Sequence, residues 1–525
     1  MGVRPTVGIT VLEGVLFALQ PASLAAALAG VLLGLVFGAI PGLTATLGVA
    51  LLVPVTFIME PALGMIMLSG VYAGAIYAGT ITGILLRIPG TPASIPSTWE
   101  GYALREKGDA ELALGTAAVS SGIGGLLSGI VLFTATPPLA RFALQFGPAE
   151  YAAICVFGLV VVGTMFDRSL LRAGVATFVG LSMGVVGLDP ISGYSRFGFG
   201  QPDLAGGLSL VPVLIGVFCM PEAFRLARRA VEEHRAGRPM RPPMNRGRLP
   251  TFKLFRQNGW NLGRSSAIGI AMGTLPAVGP ETTPFVSYSA SRRFAKHPEQ
   301  YGHGSLEGLM ATESSNSANV GGSLIPLLAL GIPGSAVAAV FVGALTLHGL
   351  RPGPLLFTSE PGIMYALFTG FLVVNLFMLL LGVFFVRQFA VVLRIPPHVL
   401  AVGVALFSSI GAYAIHTSLF DVWIMLGAAL LAAALSSLRI PVAPLVLALI
   451  LGPLLEDNLR RSLQLSQGDW MIFLQRPISL AFLIFTVVAF TLSRRTRRLP
   501  GEVAGAESGT GRHGSRNEPP EQPSR

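Results

Sequence analysis

The chain has 525 residues, of which 52% are hydrophobic and only 12% charged, with a formal net charge of +10; its mean hydropathy is +0.68. A soluble globular protein carries about 25% charged residues, so one buried core cannot account for this composition, and the chain reads as a polytopic integral membrane protein. Barrel strands would be short and would alternate in polarity. Here the apolar runs are long and continuous, so the spans are helical and the fold class is all-α. Allowing ~20 residues per crossing helix plus short loops gives roughly 10–14 spans.

Residues 1–20 form a weakly amphipathic lead-in. No small-residue cleavage pattern stands out near Arg4, so the first span is expected to stay in place. Apolar blocks follow at about 22–38, 44–59, 62–86, 112–135, 149–166, 170–188 and 207–224. A basic, Pro-containing linker covers 225–264. The second group of blocks lies at about 265–290, 305–330, 335–348, 363–386, 395–415, 420–438, 440–455 and 470–493. The expected organisation is a first membrane repeat over 1–224, the linker over 225–264, a second repeat over 265–493 and a tail over 494–525. The tail is rich in Gly, Pro, Ser and charge and lacks the apolar residues needed to fold, so it is expected to be disordered.

The positive charge follows this plan. Of 36 Lys and Arg, 11 lie between Arg225 and Arg264 and seven from Arg494 onward. Both clusters flank apolar spans, as the positive-inside rule requires of cytoplasmic segments. They place the linker and tail in the cytoplasm and argue against a nucleic-acid site. Cys155 and Cys219 both sit in apolar runs, and two isolated cysteines imply neither a metal site nor a disulfide framework.

The two groups of blocks resemble each other. Gly38-Ala39-Ile40-Pro41-Gly42 is echoed by Gly273-Thr274-Leu275-Pro276-Ala277 at an offset of 235. Ile88-Pro89-Gly90-Thr91 is echoed by Ile332-Pro333-Gly334-Ser335 at an offset of 244. Matched order and similar spacing favour a true internal repeat over chance. The loop Met59-Glu60-Pro61 has no basic residue, whereas its counterpart carries Arg292, Arg293, Lys296 and His297. Unequal basic content at equivalent loops points to opposite sides of the membrane, hence to an inverted-topology repeat with broken or re-entrant helices.

Four Gly/Pro interruptions fall inside membrane-compatible sequence: Pro41-Gly42, Pro89-Gly90, Pro276 through Gly279, and Pro333-Gly334. Proline removes a backbone donor and breaks the helix ladder. In lipid the freed polar groups need protein or a water-filled cavity. Broken segments at corresponding places in two halves mark a transporter binding site. Hydroxyls follow each break: Thr44 and Thr46; Thr91 and Ser94; Thr282, Thr283 and Ser287; and Ser335. Helix N-terminal N–H groups and hydroxyls suit an anion. The bland alternative for any one hydroxyl is close helix packing.

Glu313-Ser314-Ser315-Asn316-Ser317-Ala318-Asn319 is the most polar stretch that runs into an apolar block. An ionisable residue within a span is rare and usually functional, although a capping role for Glu313 at the interface is an equal alternative. Asn316 and Asn319 share a helical face. Glu313, Asn316 and Asn319 are the candidates for cation coupling. His348, His416, Asp167, Asp421, Glu456 and Asp457 lie near predicted span ends, where a solvated role is favoured over a proton relay. No metal-ligand spacing, Walker-type loop or nucleophile motif appears, so neither an ATP-hydrolysing pump nor an enzyme is expected.

Four long motifs in order resemble the large membrane subunit of tripartite tricarboxylate transporters, the TctA-type permeases, over roughly residues 14–490. They are Gly34 through Gly48; Ile88 through Gly108; Gly187 through Phe218, with Asp189-Pro190, Gly193, Arg196-Phe197, Phe199-Gly200 and Pro212; and Glu299 through Phe357, with Tyr301-Gly302, Gly304, Glu307-Gly308, Glu313, Asn316, Asn319, His348-Gly349 and Pro352-Gly353-Pro354. The chain departs from the family pattern at Arg87, Ala277, Pro280, Glu281 and Thr312. Several of these lie at the expected site, so the resemblance does not name the carboxylate. It implies a periplasmic solute-binding protein that delivers an organic carboxylate, a small four-span membrane subunit, and a sodium or proton gradient that drives uptake, without a cofactor, in a bacterial inner membrane. A stand-alone carboxylate channel or exporter is the alternative.

Overall fold

The computed structural model describes residues 7–40, 42–165, 169–189, 191–236, 249–275, 279–384 and 397–496. Pro41, Pro276, Ala277, Asp167, the centre of the linker and the tail from residue 497 lie outside the described residues.

The first part contains α1 (Val7–Ala18), α2 (Pro21–Ala39), α3 (Ala45–Thr56), α4 (Pro61–Leu86), α5 (Ile95–Glu106), α6 (Ala110–Ala143), α7 (Pro148–Met165) and α8 (Leu170–Gly184). A small antiparallel hairpin, β1 (Gly187–Leu188) and β2 (Ser195–Arg196), precedes α9 (Leu210–Ala236). The second part contains α10 (Phe252–Gln257), α11 (Gly259–Thr274), α12 (Gly279–Phe294), α13 (Leu306–Leu330), α14 (Ala336–Leu347), α15 (Leu356–Ser359) and α16 (Pro361–Phe384). It continues with α17 (Pro397–His416), α18 (Leu419–Ser437), α19 (Ala443–Leu465), α20 (Ile472–Gln475) and α21 (Pro477–Thr496). The protein is an all-α polytopic membrane protein. Among the described residues, seven helices are long and apolar enough to cross a bilayer, and five further apolar helices are shorter.

Glycines set the packing of the broken helices. A Cβ at Gly30, Gly34 or Gly38 of α2 would strike the carbonyl oxygen of Met67, Val71 or Ala75 of α4. This is the small-residue spacing that lets two helix backbones approach in lipid. The contacts rise together in number, so α2 and α4 run parallel. Gly269 and Gly273 of α11 meet the carbonyl oxygens of Ser315 and Asn319 of α13 in the same way, so α11 and α13 are parallel too.

Parallel packing has a topological consequence. Since α4 starts on the side where α2 starts, α3 must bring the chain back. The pair α2–α3 is therefore a re-entrant hairpin whose tip is the first break. The same reasoning makes α11–α12 a re-entrant hairpin. With 12 residues, α3 is only ~18 Å long at 1.5 Å per residue, too short to cross a ~30 Å hydrocarbon layer.

The repeat is visible in the contacts. Gly90, at the second break, sits where a Cβ would strike Gly79 and the Gly38 carbonyl oxygen; Gly334 sits likewise on Ser323 and the Gly273 carbonyl oxygen. These pairs keep the offsets of 235 and 244 that align the motifs. The equivalent helices α4 and α13 meet through Tyr72 with Ser323 (3.2 Å) and Thr80 with Glu313 (2.7 Å). Numbers fall on α13 as they rise on α4, so the equivalent helices are antiparallel and the repeat is inverted. The outer helices are exchanged between halves: α9 packs on α17 and α18, and α19 packs on α7 and α8.

Candidate functional site

Four helices begin at the four breaks: α3, α5, α12 and α14. Each N-terminus carries a partial positive charge; those of α3, α5 and α14 lie inside the molecule, whereas the first turn of α12 is exposed at Glu281 and Thr282. Thr44 caps α3 by accepting from the Leu47 N–H at 3.2 Å. Ser335 caps α14 by accepting from the Ala338 N–H at 3.1 Å. The short 3₁₀ turn Pro92–Ser94 starts α5; there the Thr91 N–H donates to Ser94 Oγ, and Ser94 Oγ donates to the Thr91 carbonyl at 2.8 Å. This turn packs on α12, which joins the second break of one half to the hairpin of the other. Gly42 has φ +101°, and Glu222 Oε1 of α9 lies 2.7 Å from where its Cβ would be. Only glycine suits that position.

The remaining candidates divide between the interior and the surface. Pro89 and Thr282 are exposed, Thr46 is half-buried, and Pro333 and Gly334 are buried. Gly279 opens α12. Thr283 is buried and accepts from Asn319 Nδ2 at 2.9 Å. Ser287 is buried and donates to the Ala311 carbonyl, tying α12 to α13. Tyr72, which the sequence did not single out, places its hydroxyl 3.2 Å from Ser323 Oγ and 3.3 Å from Ser335 Oγ. It thereby links α4 to the fourth break.

The polar stretch lies in the middle of α13, and every residue from Glu313 to Asn319 is buried. Glu313 is not an interfacial cap. Its carboxylate accepts from Thr80 of α4 at 2.7 Å, Ser97 of α5 at 2.5 Å and Ser121 of α6 at 2.9 Å. Three hydroxyls from three helices stand in for the counter-ion that a buried carboxylate would otherwise need. Asn316 is fully buried, and neither its Oδ1 nor its Nδ2 has a hydrogen-bond partner among the described residues. An orphaned buried amide in a native structure calls for a missing partner. At the offset of 244, Asn316 takes the place that Tyr72 holds in the other half and Glu313 the place of Ser69. The charge is thus confined to one half.

A second buried carboxylate escaped the sequence reading. Glu100 of α5 accepts from the Tyr288 hydroxyl (2.5 Å) and from the backbone N–H groups of Gly302 (2.6 Å), Gly304 (2.8 Å) and Ser305 (2.7 Å). It latches the loop between α12 and α13 to α5.

Beside this latch a cavity of about 1290 Å³ opens between α5 and α12. It runs from Tyr301 and His303 in the loop to Arg87 at the end of α4. Trp99 meets Phe285 and Tyr288 edge-on across it, at 5.8 and 5.4 Å. The equivalents of these two helices, α14 and α3, are instead packed shut: Leu47, Val49, Val53, Val340, Phe341 and Leu345 are buried in one apolar core. A cavity thus lies between the gate helices on the side of the linker, whereas the equivalent helices on the other side pack through an apolar core.

The model of the Tripartite tricarboxylate transporter TctA family matches residues 24–447. The chain belongs to that family. TctA proteins are membrane components of transport systems with other subunits, a family of transporters rather than enzymes. An uncharacterized 52.8 kDa protein in the TAR-I ttuC' 3' region of Agrobacterium vitis is 38% identical over 486 residues, 92% of this chain and 96% of its own length. An uncharacterized protein in the TAR-II ttuC' 3' region of the same organism is 36% identical over 234 residues, 44% of this chain and 97% of its own. No solved structure matches the chain.

The TctA motifs gain a physical meaning in the fold. The second and fourth meet at Glu100 and at Glu313. The third builds the hairpin after α8. There Asp189 accepts from the Ile191 and Ser192 N–H groups at 2.8 and 2.9 Å and pairs with Arg460 at 2.7 Å, while Arg196 bridges Asp189 and Glu456. The Ser192 N–H, then Arg460, then the Ile191 N–H hold the Asp189 carboxyl well below the usual carboxylate range. This clamp fixes the hairpin to the end of α19, at the N-terminal end of α9 and so opposite the linker.

Proposed function

We propose that this chain is the translocating subunit of a cation-gradient-driven secondary transporter that imports tricarboxylates or related organic acids. In this reading a periplasmic binding protein delivers the acid and a small four-span subunit accompanies the chain in the bacterial inner membrane. The organisation is two inverted repeats, 1–224 and 265–493, joined by a cytoplasmic linker over 225–264 and followed by a cytoplasmic tail over 494–525. The clamped hairpin then faces the periplasm, where a binding protein approaches.

The observation that carries the reading is the pair of oppositely directed re-entrant hairpins, held by the antiparallel helices α4 and α13, with a fully buried Asn316 on α13 that has no hydrogen-bond partner among the described residues. Such tips, with freed N–H groups and hydroxyls, suit an anionic substrate and a coupling cation. The anion lies against the N-termini that follow Pro41-Gly42 and Pro276, with Thr44, Thr46, Thr282 and Thr283, and against those at Thr91 and Ser335. Sodium or protons act through Glu313, Asn316 and Asn319. The one-sided cavity favours a carrier over a stand-alone channel, because a pore needs both ends open at once.

The test is uptake of a labelled carboxylate panel into vesicles that hold all three components, with and without sodium and with and without a pH gradient. Uptake that needs the binding protein and one of the gradients is expected. Uptake independent of both would replace the carrier with a channel. If Asn316→Ala and Asn319→Ala leave the cation dependence intact, the coupling assignment is wrong.

A further inference from the structure

The cavity between α5 and α12 has a chemistry that the translocation site does not use. Three guanidinium groups, of Arg87, Arg292 and Arg293, line it, and none has an acidic partner among the described residues. Glu106 is the acidic side chain in its wall. Arg87 caps α4 in the left-handed region, with φ 58°. For a residue other than glycine that conformation costs ~1–2 kcal/mol. It holds the Arg87 guanidinium 5.3 Å from the centre of the Tyr102 ring, which Arg105 approaches from the same distance.

A topology signal requires only that basic residues sit near span ends on one side. It does not require them to converge on a concave surface, to remain unpaired or to hold a strained backbone. Arg87, Arg292 and Arg293 are solvent-exposed, and guanidinium groups gathered around one cavity bind carboxylates by charge and by paired N–H donors. Trp99, Tyr102 and Tyr288 supply flat apolar walls. The volume exceeds the usual ~300–1,000 Å³ of a ligand pocket, leaving room for a hydrated, multiply charged ion.

We propose that this cavity is a second anion subsite, which takes the carboxylate groups of the transported acid after they leave the hairpin tips and before release. Arg87, Arg292 and Arg293 provide the charge, and the subsite is not selective among small di- and tricarboxylates. Its place on the linker side, with Arg87 two residues before the second break in its wall, makes it an exit site. The proposal rests on the carrier reading for the direction of travel, but not for binding itself.

Ser289 is exposed and lines the cavity, and the two native cysteines are buried. The test places Ser289→Cys in the full chain in phosphatidylcholine nanodiscs. A sulfonate-bearing thiol reagent is expected to react about tenfold faster than a trimethylammonium one, as a focused positive potential requires. Citrate, succinate and malate are expected to slow the reaction. Both effects should vanish in R87Q/R292Q/R293Q, while a neutral thiol reagent reacts with this variant as before, which reports an intact fold. If charge selectivity survives the triple substitution, or if none of the three acids slows labelling, the subsite does not exist. Protection that depends on phosphatidylglycerol and not on the acids would assign the cavity to a lipid headgroup and overturn the proposal. Uptake by the complete system is a separate readout: uptake without cavity protection removes only the subsite, whereas absent uptake removes the carrier reading.

Discussion

Glu313 shows how a single residue can be both structural and functional. Hydrogen bonds between helices in a membrane are worth about 0.6 kcal/mol on average and at most ~1.7. The three hydroxyls around Glu313 therefore contribute about 2 kcal/mol together, too little for their loss to unfold the chain. Glu313→Gln should leave the solubilised protein folded, with a modest drop in melting temperature. Cation-dependent uptake should fall by about tenfold or more, the effect of ~1.4 kcal/mol of lost binding. Uptake near the original level would remove Glu313 from coupling. Asp189 is a contrasting case, outside the membrane. Its folded pKa is depressed, so its contribution is present above the ordinary carboxylate pKa of ~3.9. That contribution is lost as pH falls through the lower folded value. Asp189→Asn should melt earlier than the parent at pH 7, and the gap should close as pH drops below about 4. A gap that stays constant with pH would show that the ionised clamp is not what holds the hairpin. Glu313 was legible in the sequence because a carboxylate inside an apolar block is conspicuous. Its partners were not: Thr80, Ser97 and Ser121 are separated from it by 192 to 233 positions. In a membrane sequence such hydroxyls look like ordinary packing residues. Glu100 was hidden for the same reason, since its partners are mostly backbone N–H groups of a distant loop.

At the scale of the helix, glycine has two different uses in this chain. Gly34 and Gly269 let backbones touch, and a Cβ at either would strike a carbonyl oxygen of the neighbouring helix. Gly403 of α17 and Gly427 of α18 would meet nothing within 4 Å. Helix propensity alone favours alanine over glycine by ~1 kcal/mol, and overpacking a close contact costs ~1–3 kcal/mol. Gly34→Ala and Gly269→Ala should therefore lower the melting temperature in detergent, while Gly403→Ala and Gly427→Ala should leave it unchanged or raise it. Equal behaviour of the two pairs would mean that backbone approach does not set the hairpin geometry. The breaks themselves could be read from the Pro-Gly motifs, and their matching offsets gave the repeat. What local pattern could not give is the direction of each half-helix. That α3 and α12 turn back follows only from which glycine meets which carbonyl. The exchange of α9 and α19 between the halves is likewise a packing fact with no local signature.

Across the whole molecule, the inverted repeat relates two gates that differ in this structure. The gate formed by α5 and α12 touches through Trp99, Phe285 and Tyr288 yet leaves a cavity between its helices, while the gate formed by α3 and α14 is filled by an apolar core. An exact two-fold would make them alike, so one sequence adopts two packings of equivalent helices. Alternating access needs that bistability: each half can take the arrangement the other now has. Val340 of α14 is fully buried in the closed gate. In resting vesicles a Val340→Cys variant should resist a membrane-impermeant thiol reagent added on the side opposite the linker. During turnover, with gradient, binding protein and carboxylate present, it should become reactive, and labelling should then stop uptake. A carrier predicts that this reactivity rises as that of Ser289→Cys on the linker side falls, because the two gates exclude each other. A channel predicts that both positions are reactive together whenever ions flow. Joint reactivity would leave the inverted fold intact but would take away the reason for its asymmetry, and the alternative of a stand-alone pore would then be the better account of the same two hairpins.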